Sequence, residues 1–455
     1  MRDEKPICYG AGSTAPSSKV QTDTLIHAEW LLPASGDQPF LAAHSVAIDD
    51  GRIVAVCSRA ESTAIEAREV IELPGYALIP GLVNAHTHSP MTLFRGLADD
   101  LPLMTWLNEH VWPAEQRWVH EEFVADGTRL AVAEMLRSGT TCFNDMYFFP
   151  DVTARVAGQA GIRATVGLIL IDFPSAWADS ADAYLDRAIE VHDQLRSDAL
   201  VRTAFAPHAP YSVSDPPLRR LATLANELDL PVHMHVHETA AEVSGGLEQH
   251  GCRPLERLQR LDLLSPSLVA VHMTQLLDDE IEAVAAAGTH VVHCPQSNLK
   301  LASGHCRVSD LLRAGVNVAL GTDGAASNND LDMLAEMQQA ALQAKGVCGD
   351  ACAVPAEQAL AMATINGARA LGIDDETGSI AVGKSADLVA VDLSQPETQP
   401  VYNPVSQLVY AAGREQVRHV WVRGRRVLKD RTLLTLDLDD TLQRASQWRE
   451  RIADG

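Results

Sequence analysis

The sequence predicts an α/β protein: a (β/α)8 barrel with a small discontinuous β-sandwich domain formed by both termini. From about residue 78 onward, short runs rich in Val, Ile, Leu and Ala alternate with longer stretches of helical spacing, the pattern of repeated βα units. Eight such runs fall within about 300 residues, the number that closes a barrel. On both sides of them lie segments of strand composition without the helical alternation.

In chain order the runs are LIPGLVNAH (78–86), TTCFNDM (140–146), RATVGLIL (163–170), VRTAFAP (201–207), PVHMHVH (231–237), LVAVHM (268–273), THVVHCP (289–295) and VNVALGTD (316–323). Before them, SVAIDDGRIVAV (45–56) reads as two strands joined by a turn at Asp50 and Gly51, with further strands near 22–31 and 68–73. After them, ADLVAVDL (386–393) and VRHVWVRGRRVL (417–428) have strand composition, the second interrupted at Gly424. The expected division is residues 1–77 and 377–455 for the β-domain, with a terminal helix, and 78–376 for the barrel.

Sixty Asp and Glu stand against 36 Lys and Arg, a net charge of −24 that repels polyanions. No basic stretch offers a local site for nucleic acid or anionic lipid, so neither polynucleotide nor membrane partners are expected; a homo-oligomer is allowed. The charged opening MRDEKPICYG lacks the apolar core of a secretory signal, and no apolar run reaches spanning length. Eight scattered cysteines, the closest pair being Cys348 and Cys352, are expected to be reduced thiols in a cytoplasmic protein.

In such a barrel the active site forms at the C-terminal ends of the strands, so polar residues there are the ones to inspect. Run one ends in His86 and His88, run four in His208, run five in His233, His235 and His237, run six in His272, run seven in His293 and run eight in Asp323. Eight of the chain's 17 histidines thus fall at five strand ends, a concentration that scattered core histidines would not give. Strand residues two apart share a side, so His86 and His88 can converge on one ion in the barrel mouth. Histidine with carboxylate, and no thiolate cluster, suits zinc or another divalent ion in an open catalytic site.

The same two-residue period would put His233, His235 and His237 on one face, and spacing alone leaves open which of them is a ligand. Glu238 follows them as a candidate proton carrier, with a helix-start role as its alternative. Asp323 opens a Gly/Ala/Ser/Asn-rich turn and could be a turn or N-cap aspartate. Buried, however, its carboxylate would need a cation or donors to offset desolvation.

With these residues in place, the chain resembles the amidohydrolase superfamily, and within it the 5′-methylthioadenosine/S-adenosylhomocysteine deaminases. The resemblance is carried by PGLVNAHTHSPMTLFRGLADDLPLMTWL (80–107), HAPYSVSD (208–215), HVHETAAEV (235–243), HCPQSNLKLASG (293–304), GTDGAASNNDLDML (321–334) and GSIAVGKSADLVAVDL (378–393). It implies one Zn2+ per chain on His86, His88, His235 and Asp323, with Glu238 protonating the ring nitrogen and His272 near the attacking water. Asp323 accepts that water's proton in the implied mechanism. It further implies that Glu115 in VWPAEQ holds the ribose hydroxyls and that His208 contacts the nucleoside; His233, His237 and His293 receive no role. The implied reaction is hydrolytic deamination of adenine nucleosides to the inosine analogue and ammonia. The alternatives are a deaminase or chlorohydrolase of the same superfamily acting on guanine, a pterin or a triazine, and a barrel that has lost catalysis. One departure is that Leu168-Ile-Leu-Ile-Asp172 stands where some members place an arginine near the substrate's tail.

Overall fold

The structure, a computed structural model, describes residues 20–34 and 38–454. The charged opening read for a secretory signal lies outside the described residues. Four strands come first: β1 (Val20–Leu31), β2 (Leu41–Asp49), β3 (Arg52–Ser58) and β4 (Ile65–Pro80). The barrel strands follow as β5 (Leu82–Thr87), β6 (Thr140–Tyr147), β7 (Arg163–Leu170), β8 (Val201–Pro207), β9 (Val232–Val236), β10 (Leu268–His272), β11 (His290–His293) and β12 (Val318–Leu320). They pair in consecutive order and all in parallel. The hydrogen bond from Asp323 N to His86 O (3.0 Å) ties the two ends of that sheet together.

Every residue of β6 and β7 is buried, as expected of parallel strands covered on both faces; β7 accordingly reads as a near-continuous apolar run, whereas β6 also buries Thr140, Thr141, Asn144 and Asp145. The two sheet ends can approach because Gly321 has no side chain: a Cβ there would lie 2.8 Å from His86 N and Cβ.

The terminal segments join in a second sheet, completed by β13 (Leu388–Asp392), β14 (Val417–Val422), β15 (Arg425–Lys429) and β16 (Thr432–Leu433), in the order β16-β15-β14-β13-β4-β1-β2-β3. Asp50 and Gly51 both have positive φ (46° and 73°), as do Arg423 and Gly424 (49° and 72°), the backbone that two-residue hairpins require. These two turns touch, since a Cβ on Gly424 would meet Gly51 Cα at 2.8 Å; the sheet therefore curls so that Val46 and Ile48 share a core with Leu388 and Trp421. The first expected run began at residue 78, but Leu78–Pro80 pair with β13 as the end of β4. Pro80 has no N–H to continue the ladder, and a Cβ on Gly81 would overlap Thr141, so the chain passes there from one sheet to the other.

The two sheets are joined away from the barrel mouth. Arg163, the first residue of β7, donates from Nε to Asp387 Oδ2 (2.5 Å) and from Nη2 to Ser385 Oγ (2.8 Å), both buried. The last helix, Leu438–Asp454, returns to the barrel, where Trp448 Nε1 donates to Asp126 of helix Glu121–Arg137 (3.1 Å). No helix among the described residues is long and apolar enough to cross a membrane, and the seven described cysteines are all free.

Candidate active site

At the barrel mouth the ends of β5, β9 and β12 bring His86, His88, His235 and Asp323 together, with one ligand-capable atom from each lying within 4.8 Å of the others. Asp323 Oδ1 is 3.3 Å from His86 Nε2 and 3.2 Å from His88 Nε2, and His86 Nε2 is 3.2 Å from His235 Nε2. All three Nε2 atoms point inward because each Nδ1 is engaged outside the cluster. His88 Nδ1 meets Met146 O (2.6 Å), His235 Nδ1 meets His208 O (2.7 Å) and His86 Nδ1 meets His233 Nε2 (3.0 Å). A carbonyl only accepts, so the first two Nδ1 atoms carry their protons and leave Nε2 free to ligate.

The protonation of these groups follows from their burial and from one another's charge. Burial holds His86 down to about 4 despite the Asp323 carboxylate, and burial with neighbouring histidines puts His235 well below the usual imidazole range. His88 also suffers burial, but Asp323 and the Met146 carbonyl outweigh it and raise the group to about 9. For Asp323 burial alone would favour the acid; His86 and His88 instead hold it well below the usual carboxylate range. Buried nitrogen and oxygen donors that face one another and depend on a positive charge among them fit a divalent metal ion. Asp323 is further fixed by Ser297 Oγ donating to Oδ2 (2.6 Å) and by Gly324 N donating to Oδ1 (2.7 Å).

The histidines of β9 part company where the strand ends. His233 and His235 lie within the strand, whereas His237 follows it with φ of 53°, which breaks the alternation that would have put all three on one face. His237 instead accepts from Leu255 N at Nε2 (3.1 Å), away from the cluster. His233 buttresses His86. His293 is buried, with burial lowering it to about 3, and its Nδ1 has no hydrogen-bond partner among the described residues.

Glu238 borders the same pocket and is 7% exposed, so burial raises its carboxyl above the ordinary value. It does not start the helix that follows. Thr239 caps Ala240–His250 by accepting from Glu242 N, and Glu242 is the acidic residue of its first turn, accepting from the backbone N–H of His237 and Glu238. His272 has φ of 76°, a left-handed backbone that a β-carbon disfavours and that the surrounding structure must enforce. Its Nδ1 lies 2.9 Å from Asn298 Oδ1, which leaves Nε2 facing Glu238 Oε2 at 4.0 Å.

A lid crosses the mouth after β5. Leu103–Trp106 and Trp112–Trp118 are α-helical and Leu107–Val111 between them is a wide π turn, which falls where Pro113 supplies no N–H for the regular ladder. Leu103, Leu107, Val111 and Glu115 follow one another at four-residue steps and all line the pocket. Glu115 is half-buried in that wall, and desolvation pushes its carboxyl up to about 7. The Tyr147 hydroxyl faces it, buried and, among the described residues, without a hydrogen-bond partner of good geometry. His208 borders the pocket with Nδ1 2.9 Å from Ser212 Oγ, and burial lowers it to about 3.

Sequence reasoning did not single out Tyr147, Ser297, Asn298 or the buttressing role of His233. Tyr147 and Asp145 end the second barrel strand, and the strand-end rule would have found them. Ser297 and Asn298 sit in the short helix Pro295–Lys300 after β11 and carry no periodicity that points inward.

The sequence profile of the amidohydrolase family matches residues 77–427. The chain is 50% identical over 431 residues to a protein of Teredinibacter turnerae named 5-methylthioadenosine/S-adenosylhomocysteine deaminase, covering 94% of this chain and 98% of the relative. It is 46% identical over 393 residues to a 5′-deoxyadenosine deaminase of Methanothermobacter thermautotrophicus, covering 86% and 91%. It also superposes on the crystal structure of an adenosine deaminase from Xanthomonas campestris with bound zinc, at a TM-score of 0.95 and 54% identity, covering 96% of this chain and 100% of that one.

Proposed function

The chain belongs to the amidohydrolase family and is a metal-dependent hydrolase of C–N bonds, and from that premise we propose that it deaminates adenine nucleosides to the inosine analogue and ammonia. The reading names 5′-methylthioadenosine, S-adenosylhomocysteine and adenosine as substrates, one zinc ion per chain, and a cytoplasmic enzyme. The observation that carries it is a single pocket with three inward imidazoles and a carboxylate on its floor, Glu238 at its side and Glu115 in its lid.

His86, His88, His235 and Asp323 would hold the ion. When bound there, zinc supplies Lewis acidity and lowers the pKa of a water toward about 7. Asp323, fixed by Ser297 and Gly324, accepts the proton that the attacking water gives up as it adds to C6 of adenine and passes it to the exocyclic amine, so that the C6–N bond breaks as ammonia leaves and the remaining hydroxyl proton restores the carboxyl of Glu238. Glu238, which burial keeps protonated more readily than a surface carboxyl, delivers a proton to ring N1. His272 presents Nε2 to the reacting centre, its ring fixed by Asn298, and holds the water against C6. Glu115 accepts from the ribose hydroxyls and His208 contacts the nucleoside.

The test is ammonia release by the purified, zinc-loaded protein from adenosine, 5′-methylthioadenosine, S-adenosylhomocysteine, guanine and cytosine. Turnover of the adenine nucleosides alone is expected. Turnover of guanine alone would replace this reading with the base-deaminase alternative, and no turnover of any compound would favour a barrel without catalysis.

A further inference from the structure

We propose that Glu242 is a positioning residue for the deamination: its carboxylate grips the peptide N–H groups of His237 and Glu238 and so fixes where the proton carrier stands against the reacting ring. The inference rests on the adenine-nucleoside reading, in which Glu238 delivers the proton, and adds a residue to that same site.

The side chain of Glu238 has no anchor of its own. Among the described residues the hydrogen bonds of Glu238 are all made by its backbone, and His272 Nε2 stands 4.0 Å from Oε2. A proton carrier needs its oxygens free to meet the substrate, so its position has to come from the chain that bears it. That chain leaves β9 through His237, whose φ of 53° is a left-handed conformation that persists only where the surroundings enforce it. Glu242 supplies the enforcement with one oxygen per peptide: His237 N donates to Oε1 (2.9 Å) and Glu238 N donates to Oε2 (2.7 Å). On the carbonyl side of the same two residues, Thr274 N donates to His237 O (3.0 Å) and Thr274 Oγ1 donates to Glu238 O (2.7 Å). The Glu238 backbone is thus held at both its N–H and its carbonyl.

Helix capping does not account for Glu242. In the ordinary capping box the acidic residue three after the cap returns to the N–H of the cap itself, whereas this carboxylate takes the two N–H groups that precede Thr239. The helix macrodipole asks only for a carboxylate in the first turn, which a solvent-facing side chain supplies without desolvation. Glu242 is instead 7% exposed, and burial pushes its carboxyl up to about 8 against the pull of its backbone donors. No cation offsets that burial: Arg257, which lines the same neighbouring cavity, pairs with Asp215 (2.8 Å). A buried carboxyl without an ion pair is a costly placement, and the two peptides it holds are the reason for it.

The experiment is a double-variant cycle on adenosine: Glu238→Gln, Glu242→Gln and the two together, read by kcat, KM, zinc content and Tm. Glu242→Gln keeps the shape but turns an NH2 toward one of the two N–H groups. It is expected to lower kcat about 10- to 10²-fold, the scale for a displaced catalytic group, with KM changed less than about 3-fold and zinc retained. In the Glu238→Gln background the same change should cost less than about 3-fold further, because the group it positions is already gone. Thr239→Ala removes the helix cap and leaves the clamp, so it should lower Tm and keep kcat within about 3-fold of the unmodified protein. Losses that multiply in the double variant, an unchanged kcat in Glu242→Gln, or a Thr239→Ala loss as large as that of Glu242→Gln would each overturn the inference while leaving the nucleoside reading intact. If Glu242→Gln does not hold zinc, Glu242→Asp, which keeps the charge and falls one methylene short, takes its place in the cycle. Loss of zinc from both would make Glu242 a support of the fold and overturn the inference. Near-normal turnover by Glu238→Gln would remove the proton carrier from the reading and this inference with it.

Discussion

The floor and the lid of the pocket are built on opposite principles. The floor stands on strand ends, and each of its histidines has its second nitrogen tied to a neighbour on another strand: β5 to β6, β5 to β9, β9 to the loop after β8. Rigid elements with cross-strand bonds hold ligands in one geometry, which is what a metal site needs. The lid stands on short helical pieces joined by a π turn, presents a mostly apolar face inward and places one carboxylate in it. The floor can supply chemistry common to many substrates, and the lid can decide which of them enters.

The largest effect should come from breaking the floor. His235→Ala is expected to abolish metal retention and turnover together, read by elemental analysis and ammonia release. His237→Ala should keep both, because that side chain serves Leu255 N and not the cluster. Metal lost from the second variant and retained by the first would invert the assignment on β9. Next comes Glu238→Gln, which should retain metal and lower kcat by at least about 10²-fold, the usual scale for a positioned proton carrier. Near-normal turnover would remove Glu238 from the mechanism. Smaller again is His233→Ala, whose side chain would act on a bound ion only through His86. A loss of about 10- to 10²-fold in zinc affinity is expected, as for other groups that orient a ligand, and unchanged affinity in a chelator competition would deny the buttress.

The same contrast explains what the sequence made legible. The barrel strands were readable because buried parallel strands are rich in apolar residues, most plainly in β7, and the histidines at their ends stood out against that background even though β6 also buries Thr140, Thr141, Asn144 and Asp145. Which histidine of β9 joins the cluster was not readable from period alone. The alternation fails at His237, whose backbone is left-handed and whose ring accepts from Leu255 N, a contact 18 residues away that no local period encodes. Nor was the end of β4 legible, since Leu78–Ile79 are as apolar as the barrel strand beyond Gly81 and only pairing with β13 separates them. In the lid, Glu115 entered through resemblance to a family, and Trp112 and Phe173 meet across a long sequence separation that no local pattern encodes.

The lid should break more selectively than the floor. Glu115→Ala should lower kcat/KM for 5′-methylthioadenosine about 10- to 10²-fold, from about 1.5–3 kcal/mol for a lost charge-assisted hydrogen bond. The 2′,3′-dideoxy analogue never makes the contact and should lose little. Equal losses on both substrates would make Glu115 a support of the lid and not a reader of ribose.

The smallest expected effect separates the two regions by pH. Desolvation in the lid raises the Glu115 carboxyl to about 7, whereas an unfolded chain holds it near the ordinary value of 4.5. The folded state therefore binds this proton more tightly, so Glu115 does not burden the fold below about pH 4.5, and its burden grows as pH rises from there through about 7. A shift of that size would be worth about 3 kcal/mol for a fully enclosed group, and water in the pocket reduces it to about 1–2 kcal/mol. Glu115→Gln removes the ionisation and keeps the shape. Thermal unfolding at pH 5 and pH 8 should then show the variant gaining on the unmodified protein at pH 8 relative to pH 5, with the metal content the same in both. A difference in Tm that does not change between the two pH values would mean that the carboxyl is as well solvated in the lid as in the unfolded chain. The lid would then hold its charge in open water, and the apolar wall around Glu115 would no longer account for its selectivity.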